Sequence, residues 1–132
     1  LLDALIRREV EGGVPAERIL LAGFSQGAAV ALHTGLRYPQ RLAGILVLSA
    51  YLPLAATLEQ ERCGANGDIP VMLAHGKQDP VVPVSWALKT RNYLQQLGYP
   101  VEWREYPMQH AVCPEEVGDI REWIVSVLGG NG

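Results

Sequence analysis

Four short apolar runs recur along the chain, each followed by a segment in which apolar residues are spaced differently. The runs are Arg18–Gly23, Leu42–Ser49, Ile69–Ala74 and Val101–Tyr106. Their apolar residues are mostly continuous rather than alternating with polar ones, as expected of strands buried on both faces. Strands of this kind that alternate with helices are typical of a parallel sheet flanked by helices. The sequence therefore predicts an α/β fold.

Helical patterns occupy most of the remaining chain. The four predicted helices are Leu1–Gly12, Gln26–Tyr38, Val84–Leu97 and Pro114–Leu128. The second is expected to end at Tyr38 because a residue before proline is disfavoured in helical conformation. Glu59–Asp68 is the one polar stretch that is predicted to be irregular. Since no linker or repeat divides the chain, residues 1–132 are predicted to form a single domain.

Composition narrows the function classes. The 132 residues carry a formal net charge of −3 and 48% hydrophobic residues, so a nucleic-acid partner is not expected. The longest apolar run, Leu42–Leu58, is interrupted by polar residues and prolines and falls short of a membrane span. The two cysteines, Cys63 and Cys113, predict neither a disulfide framework nor a metal site, and they favour a reducing, cytoplasmic location.

Ser25 lies where the first predicted strand meets the second predicted helix, in the pentapeptide Gly-Phe-Ser-Gln-Gly. A serine at such a corner is a candidate nucleophile, because the sharp turn exposes its hydroxyl. The turn brings the residues two before and two after the serine close together, so both positions are expected to need small residues. Gly23 and Gly27 meet this requirement. The helix that begins at Gln26 directs its positive end at Ser25. The alternative is a serine that only caps a helix beside turn glycines.

A serine nucleophile needs a base, and the chain has three histidines. His110 lies between the fourth strand and the last helix, at the edge of a parallel sheet where open α/β folds place their sites, and is the candidate base. His33 lies about two turns into the second helix, too far from Ser25, and is expected on a helix face. His75 is expected directly after the third strand, where its hydrogen bonds would orient a loop.

Asp79 is the candidate acid, because it follows the third strand. Pro80 and Pro83, which come after it, stiffen its turn. A plain turn aspartate is the alternative. Asp68 precedes that strand and Asp119 lies inside a predicted helix, so both fit the role poorly. The resulting chain order of serine, aspartate and histidine is that of α/β-hydrolases.

The segments LAGFSQGAAVAL, LSAYLP, HGKQDPVVP and HAVCPEE resemble the signature segments of the carboxylesterase and acyl-protein thioesterase family. The resemblance implies an α/β-hydrolase fold, with Ser25 as nucleophile, Asp79 as acid, His110 as base and the Gln26 N–H as an oxyanion donor. It also implies hydrolysis of short-chain esters, thioesters or lysophospholipids without a cofactor, and it permits a homodimer.

The chain departs from the family pattern at Ala28, where a third glycine is common, and at Gln109, where glycine often precedes the histidine. It begins Leu-Leu-Asp-Ala, without an initiator methionine. We therefore expect the C-terminal part of a longer hydrolase, without the N-terminal strands and the loop that supplies a second oxyanion donor. An isolated piece of this kind is expected to be poorly active. The alternative function is a non-catalytic binding or scaffold domain.

Five residues near the predicted strand ends are candidates for an apolar acyl pocket. They are Leu52, Pro53, Leu54, Val81 and Val82. Apolar side chains beside a polar site are typical of ligand pockets. The alternative is that they only pack the loops.

Overall fold

A computed structural model describes residues 2–53, 55–62 and 64–129. Within these ranges four strands form one sheet: β1 (Leu20–Phe24), β2 (Gly44–Leu48), β3 (Val71–Gly76) and β4 (Val101–Tyr106). Neighbouring strands are all parallel, and their order in the sheet is their order in the chain. The predicted parallel sheet is confirmed.

The helices of the same ranges are α1 (Leu2–Glu11), α2 (Gln26–Arg37), α3 (Ala55–Glu61), α4 (Val84–Gln96) and α5 (Pro114–Gly129). α2 ends as predicted, because Tyr38 before Pro39 adopts an extended conformation with φ −68° and ψ 139°. α4 ends at Gln96, and Gly98 just beyond it has a φ of +94°, which is left-handed and favours glycine. The helices flank the sheet, as the predicted α/β fold requires.

The sheet separates two apolar clusters. Ile45 and Val47 of β2 belong to a cluster that includes residues of the first four helices. Leu46 belongs to the second cluster, on the opposite face, with Met72 of β3 and Trp123 of α5. β2 and β3 are almost fully buried, while β1 and β4, at the two edges, are partly exposed. The prediction of strands covered on both faces therefore holds best for the two central strands.

The prediction that Glu59–Asp68 is irregular is wrong in part. α3 extends to Glu61, and Gly64–Asn66 forms a short 3₁₀ turn. Leu58 is fully buried, and Glu61 accepts a hydrogen bond from Arg37 at 2.7 Å. Buried Leu58, the Glu61–Arg37 ion pair and the buried Asn66 side chain hold this segment, and none of them produces a clear apolar periodicity.

Asn66 holds the entry to β2 through a buried side chain. Its Oδ1 accepts a hydrogen bond from the Leu42 N–H at 2.8 Å. Its Nδ2 donates to the carbonyl oxygens of Tyr38 at 3.0 Å and Gln40 at 2.8 Å. The amide thereby satisfies backbone groups that the turn between α2 and β2 would leave buried and unpaired.

Glu116 is a fully buried carboxyl group in the first turn of α5. Within the described part of the chain neither of its carboxyl oxygens has a hydrogen bond of standard geometry. Burial raises the pKa of Glu116, and the Cys113 backbone N–H opposes that rise more weakly. The folded state therefore favours the protonated carboxyl more strongly than the unfolded state does.

We expect Glu116→Gln to be more stable than the parent chain at neutral pH, because the amide cannot ionise and so avoids the cost of burying a charged carboxylate. Because the pKa is raised on folding, the parent chain loses stability as pH rises from about 4.3, the ordinary glutamate value, through the folded-state pKa. Urea unfolding between pH 4 and pH 8 should show the two curves converging at the acidic end. Glu115→Gln, at an exposed neighbour, is the control. An advantage that is the same at every pH would contradict this account.

Candidate active site

Ser25 lies at the corner between β1 and α2. Its N–H donates to the Leu48 carbonyl oxygen at 2.8 Å, which fixes the corner to the end of β2. Its backbone has φ +57° and ψ −122°, a left-handed conformation that non-glycine residues rarely adopt. No side-chain hydrogen bond from Ser25 caps α2, so the interpretation as a simple helix cap is not supported.

Gly23 is sterically required in this corner, as predicted. A Cβ at Gly23 would lie 2.5 Å from the backbone nitrogen of Ala28 and 2.5 Å from the carbonyl carbon of Gly27. The same expectation for Gly27 is wrong, because a Cβ there would meet no described atom within 4 Å. The crowding is one-sided: the start of α2 presses on the Gly23 α-carbon, whereas the Cβ position of Gly27 faces open space.

Gln26 is the first residue of α2. The first N–H groups of a helix have no partner within that helix, and they carry its partial positive charge. Ser25 thus lies against a cluster of free donors that suits a developing negative charge.

The loop after β4 is fastened to the turn after β3. The Gln78 N–H donates to the Met108 carbonyl oxygen at 3.1 Å, and the Lys77 N–H donates to that of Tyr106 at 2.9 Å. At Gly76 the carbonyl oxygens of Met108 and Gln109 occupy the space of a Cβ. Only a glycine allows this close passage, which sets the backbone on which His110 stands.

The structure brings Ser25, His110 and Asp79 into one hydrogen-bonded chain. His110 Nε2 lies 2.8 Å from Ser25 Oγ, and His110 Nδ1 lies 2.6 Å from Asp79 Oδ2. A carboxylate only accepts, so Nδ1 carries the proton and a neutral imidazole leaves Nε2 to accept from the serine hydroxyl. The Phe24 ring packs against the imidazole with centroids 4.8 Å apart, which helps to hold its orientation.

Asp79 is buried, with its two oxygens in different environments. Oδ1 accepts hydrogen bonds from the Val81 and Val82 N–H groups, each at 2.8 Å, and Oδ2 faces His110. Burial is the strongest influence and raises the pKa of Asp79, but the hydrogen bonds from Val82, His110 and Val81 together bring it below its ordinary value. The carboxyl group is therefore ionised at neutral pH.

The other candidate residues are not links in this chain of hydrogen bonds, although His75 lies beside Asp79. His75 is inside β3 rather than after it, which corrects the predicted end of the strand. Its pairing with Glu105 of β4 extends the strand beyond Ala74. Asp68 pairs with Arg41, and Asp119 accepts a hydrogen bond from the Tyr106 hydroxyl at 2.6 Å.

Of the predicted pocket residues that the structure describes, Leu52 and Pro53 line different cavities. Leu52 is buried and lines a groove of about 440 Å³ whose other lining residues are Tyr51, Trp86, Lys89, Thr90 and Tyr93. Pro53 lines a separate cavity of about 330 Å³ beside Gln26. Val81 is 61% exposed and Val82 is buried, and both hold Asp79 through their backbone N–H groups. Leu54 lies outside the described residues.

Sequence reasoning missed the aromatic walls of the 440 Å³ groove. Tyr51 and Trp86 meet edge to face, with ring centroids 5.3 Å apart. Trp86, Thr90 and Tyr93 are spaced four and three residues apart, which places them on one face of α4. That spacing was the signal for a helix face lined with aromatic residues.

Another cavity, of about 920 Å³, lies at the amino ends of the strands, opposite Ser25. Its lining includes Leu42, Pro70 and Pro100, which precede β2, β3 and β4. It is remote from Ser25, so we assign it no part in the site. Among the described residues there is also no group of histidine, cysteine and acidic side chains that suits a metal ion, and no helix long and apolar enough to cross a membrane.

Known proteins match nearly all of the chain. The sequence model of the Phospholipase/Carboxylesterase family matches residues 1–128. "Acyl-protein thioesterase 1" of Neurospora crassa is 39% identical over 127 residues, which are 94% of this chain and 52% of that protein. This chain thus spans about half the length of that relative.

Solved structures of related proteins have the same fold over nearly all of this chain. SOBER1 of Arabidopsis thaliana superposes with a TM-score of 0.92 at 27% identity, covering 96% of this chain and 61% of that one. Acyl-protein thioesterase 2 of Zea mays gives 0.80 at 28% identity, covering 96% and 64%. The sheet, the Ser25 corner and these matches lead to one conclusion: the chain belongs to the phospholipase/carboxylesterase family of α/β-hydrolases.

Proposed function

We propose that this chain carries the catalytic residues of a serine hydrolase that cleaves carboxylic esters or thioesters. The observation that carries the proposal is the continuous hydrogen-bonded chain from Ser25 Oγ through His110 to Asp79. A serine, a base within hydrogen-bond reach and a carboxylate that orients the base are the parts that nucleophilic acyl transfer requires. Relatives named acyl-protein thioesterases support a thioester as one substrate class.

In the proposed reaction, Ser25 Oγ attacks the acyl carbonyl carbon while His110 Nε2 takes the hydroxyl proton. The tetrahedral intermediate places its negative oxygen near the start of α2, where the Gln26 N–H donates to it. His110 then returns the proton to the leaving alcohol or thiol, and an acyl-enzyme remains. Water, deprotonated by His110, hydrolyses the acyl-enzyme by the same steps, with no cofactor.

Asp79 has an electrostatic and orienting part in these steps. Its Oδ2 fixes the proton on His110 Nδ1, so that Nε2 stays available to the serine. The negative charge stabilises the imidazolium that forms when the serine proton is taken. Because its pKa is held below the ordinary value, Asp79 keeps its charge throughout.

The test is covalent labelling of Ser25 by a fluorophosphonate, mapped by peptide mass and accompanied by turnover of p-nitrophenyl and thioester substrates. We expect labelling in the parent chain and none in Ser25→Ala. Asp79→Asn should lower the labelling rate and kcat by roughly 10⁴-fold, because it permits the wrong histidine tautomer.

Asp68→Asn, an exposed aspartate at the opposite edge of the sheet, is the matched control and should react like the parent. A folded chain that is not labelled would contradict the proposal and favour a non-catalytic binding or scaffold domain.

We propose that the 440 Å³ groove binds the acyl chain. It lies on the same side of the sheet as the nucleophile, at the carboxyl ends of the strands. Leu52 follows β2, the strand that fixes Ser25, and Trp86 lies seven residues after Asp79. Its lining is mainly apolar and aromatic, as chain-binding pockets are. Lys89 lies at its rim and is suited to a negatively charged group on the substrate.

Trp86→Ala should raise KM for octanoyl esters by roughly tenfold, since burial of an aromatic side chain against an apolar ligand is worth a few kcal/mol at most. Steady-state kinetics on acetyl and octanoyl esters provide the comparison, and the acetyl ester should be little affected. Val125→Ala, at an exposed apolar position on α5, is the control. An equal loss on both esters would assign Trp86 to the fold and not to chain binding.

We also expect a cytoplasmic location, since two cysteines in 132 residues suit a reducing compartment. A homodimer is permitted by the family resemblance alone and stays a prediction.

A further inference from the structure

His75 is a buried imidazole that the proposed reaction does not use. It lies in β3, only 1% exposed, and it is not in contact with Ser25 in any described hydrogen bond. A buried polar ring in a strand otherwise composed of Val71, Met72, Leu73 and Ala74 is costly unless its nitrogens are satisfied. Its partner should therefore show why the strand contains it.

The partner is the backbone of the acid turn. His75 Nε2 lies 2.7 Å from the carbonyl oxygen of Val82. A carbonyl oxygen only accepts, so Nε2 carries the proton and donates it. The imidazole is thereby fixed as the Nε2–H tautomer, and its one donor on that side is spent on Val82.

Val82 has a second function at its other end. The Val82 N–H donates to Asp79 Oδ1 at 2.8 Å, beside the equivalent bond from Val81. The Val82 peptide units therefore join His75 to one oxygen of Asp79, while the other oxygen of Asp79 holds His110. A displacement of Val82 would move both N–H groups that orient the carboxylate.

His75 also approaches the carboxylate directly. Its Nε2 lies 3.5 Å from Asp79 Oδ2, the same oxygen that is 2.6 Å from His110 Nδ1. Nitrogens of two imidazoles thus lie near one carboxylate oxygen, in a site where both the His75 and Asp79 side chains are shielded from solvent. Because the Nε2–H is donated to the Val82 carbonyl, this approach leaves the hydrogen bond between His110 and Asp79 Oδ2 undisturbed.

We propose that His75 is a positioning residue that fixes the Asp79 turn through the Val82 carbonyl and thereby aims the carboxylate at His110. The inference rests on the proposed serine-hydrolase function. It separates two histidines on one aspartate: His110 transfers protons, and His75 stays in one tautomer and holds the acceptor in place.

The first test uses the parent chain alone. Nitrogen-15 NMR of the histidine rings should show His75 protonated at Nε2, with a coupling across the hydrogen bond to the Val82 carbonyl. A His75 protonated only at Nδ1 would overturn the proposal, and this result does not depend on the folding of any variant.

The second test compares His75→Phe, which keeps the ring volume and removes the donor, with His75→Gln, whose amide nitrogen lies close to the position of Nε2. Hydrogen exchange of the Val81 and Val82 amides and the rate of fluorophosphonate labelling of Ser25 are measured together. His75→Phe should accelerate both exchanges and slow labelling by about 10- to 100-fold, as a small misplacement of a catalytic group does. His75→Gln should restore most of both, and His33→Phe, at a histidine on α2, should match the parent.

The outcomes separate the two proposals. Parent-like labelling in folded His75→Phe overturns the positioning inference and leaves the proposed function intact. Labelling that is lost equally in His75→Phe and His75→Gln also overturns it, since the hydrogen bond would then not be the cause. A folded parent chain that is not labelled overturns the proposed function, and the inference with it.

Discussion

Parallel pairing of all four strands is the constraint on which the rest of the structure depends. It places the carboxyl ends of all four strands on the same side of the sheet. Each connection must therefore cross back along a face of the sheet. Ser25, Asp79 and His110 follow β1, β3 and β4, so the topology alone places them at the carboxyl ends of the strands. The loops then need only short-range adjustments, which the contacts at Gly76 and the Leu48 carbonyl provide.

The electrostatics of the site follow from how the acid turn is built. Burial opposes the charge on Asp79, and a buried carboxylate without partners would become neutral. Backbone N–H groups on one oxygen and the His110 N–H on the other overcome that cost. Glu116 shows the opposite case in the same molecule, because it is buried without such donors and its pKa rises.

The sequence predicted the features that depend on local pattern. Continuous apolar runs predicted the parallel strands, and Pro39 predicted the end of α2. The order of Ser25, Asp79 and His110 along the chain indicated which strand ends would carry the site. The strand and helix predictions succeed because strand ends and helix caps are set by residues within a few positions of each other.

Features that depend on distant partners were not predictable in the same way. The predicted strand ends at Ala74, before His75, but pairing with β4 extends β3 through His75, whose side chain contacts the Val82 carbonyl. The free space at Gly27 and the anchoring of Asn66 to the α2–β2 turn likewise depend on where other backbone segments pass. The aromatic groove left a readable spacing on α4, but its other wall, Tyr51, comes from a separate loop.

The distances along the chain between the site residues bear on how the molecule folds. The Ser25–His110 hydrogen bond joins residues 85 positions apart, and it cannot form until all three strand pairings of the sheet are in place. Non-local contacts of this kind carry the loop-closure entropy of everything between them and therefore form late in folding. A reagent that reacts only with an activated serine would thus act as a probe of the completed topology. Its rate of incorporation during refolding would time the last step of assembly, which backbone spectroscopy of helix content does not resolve.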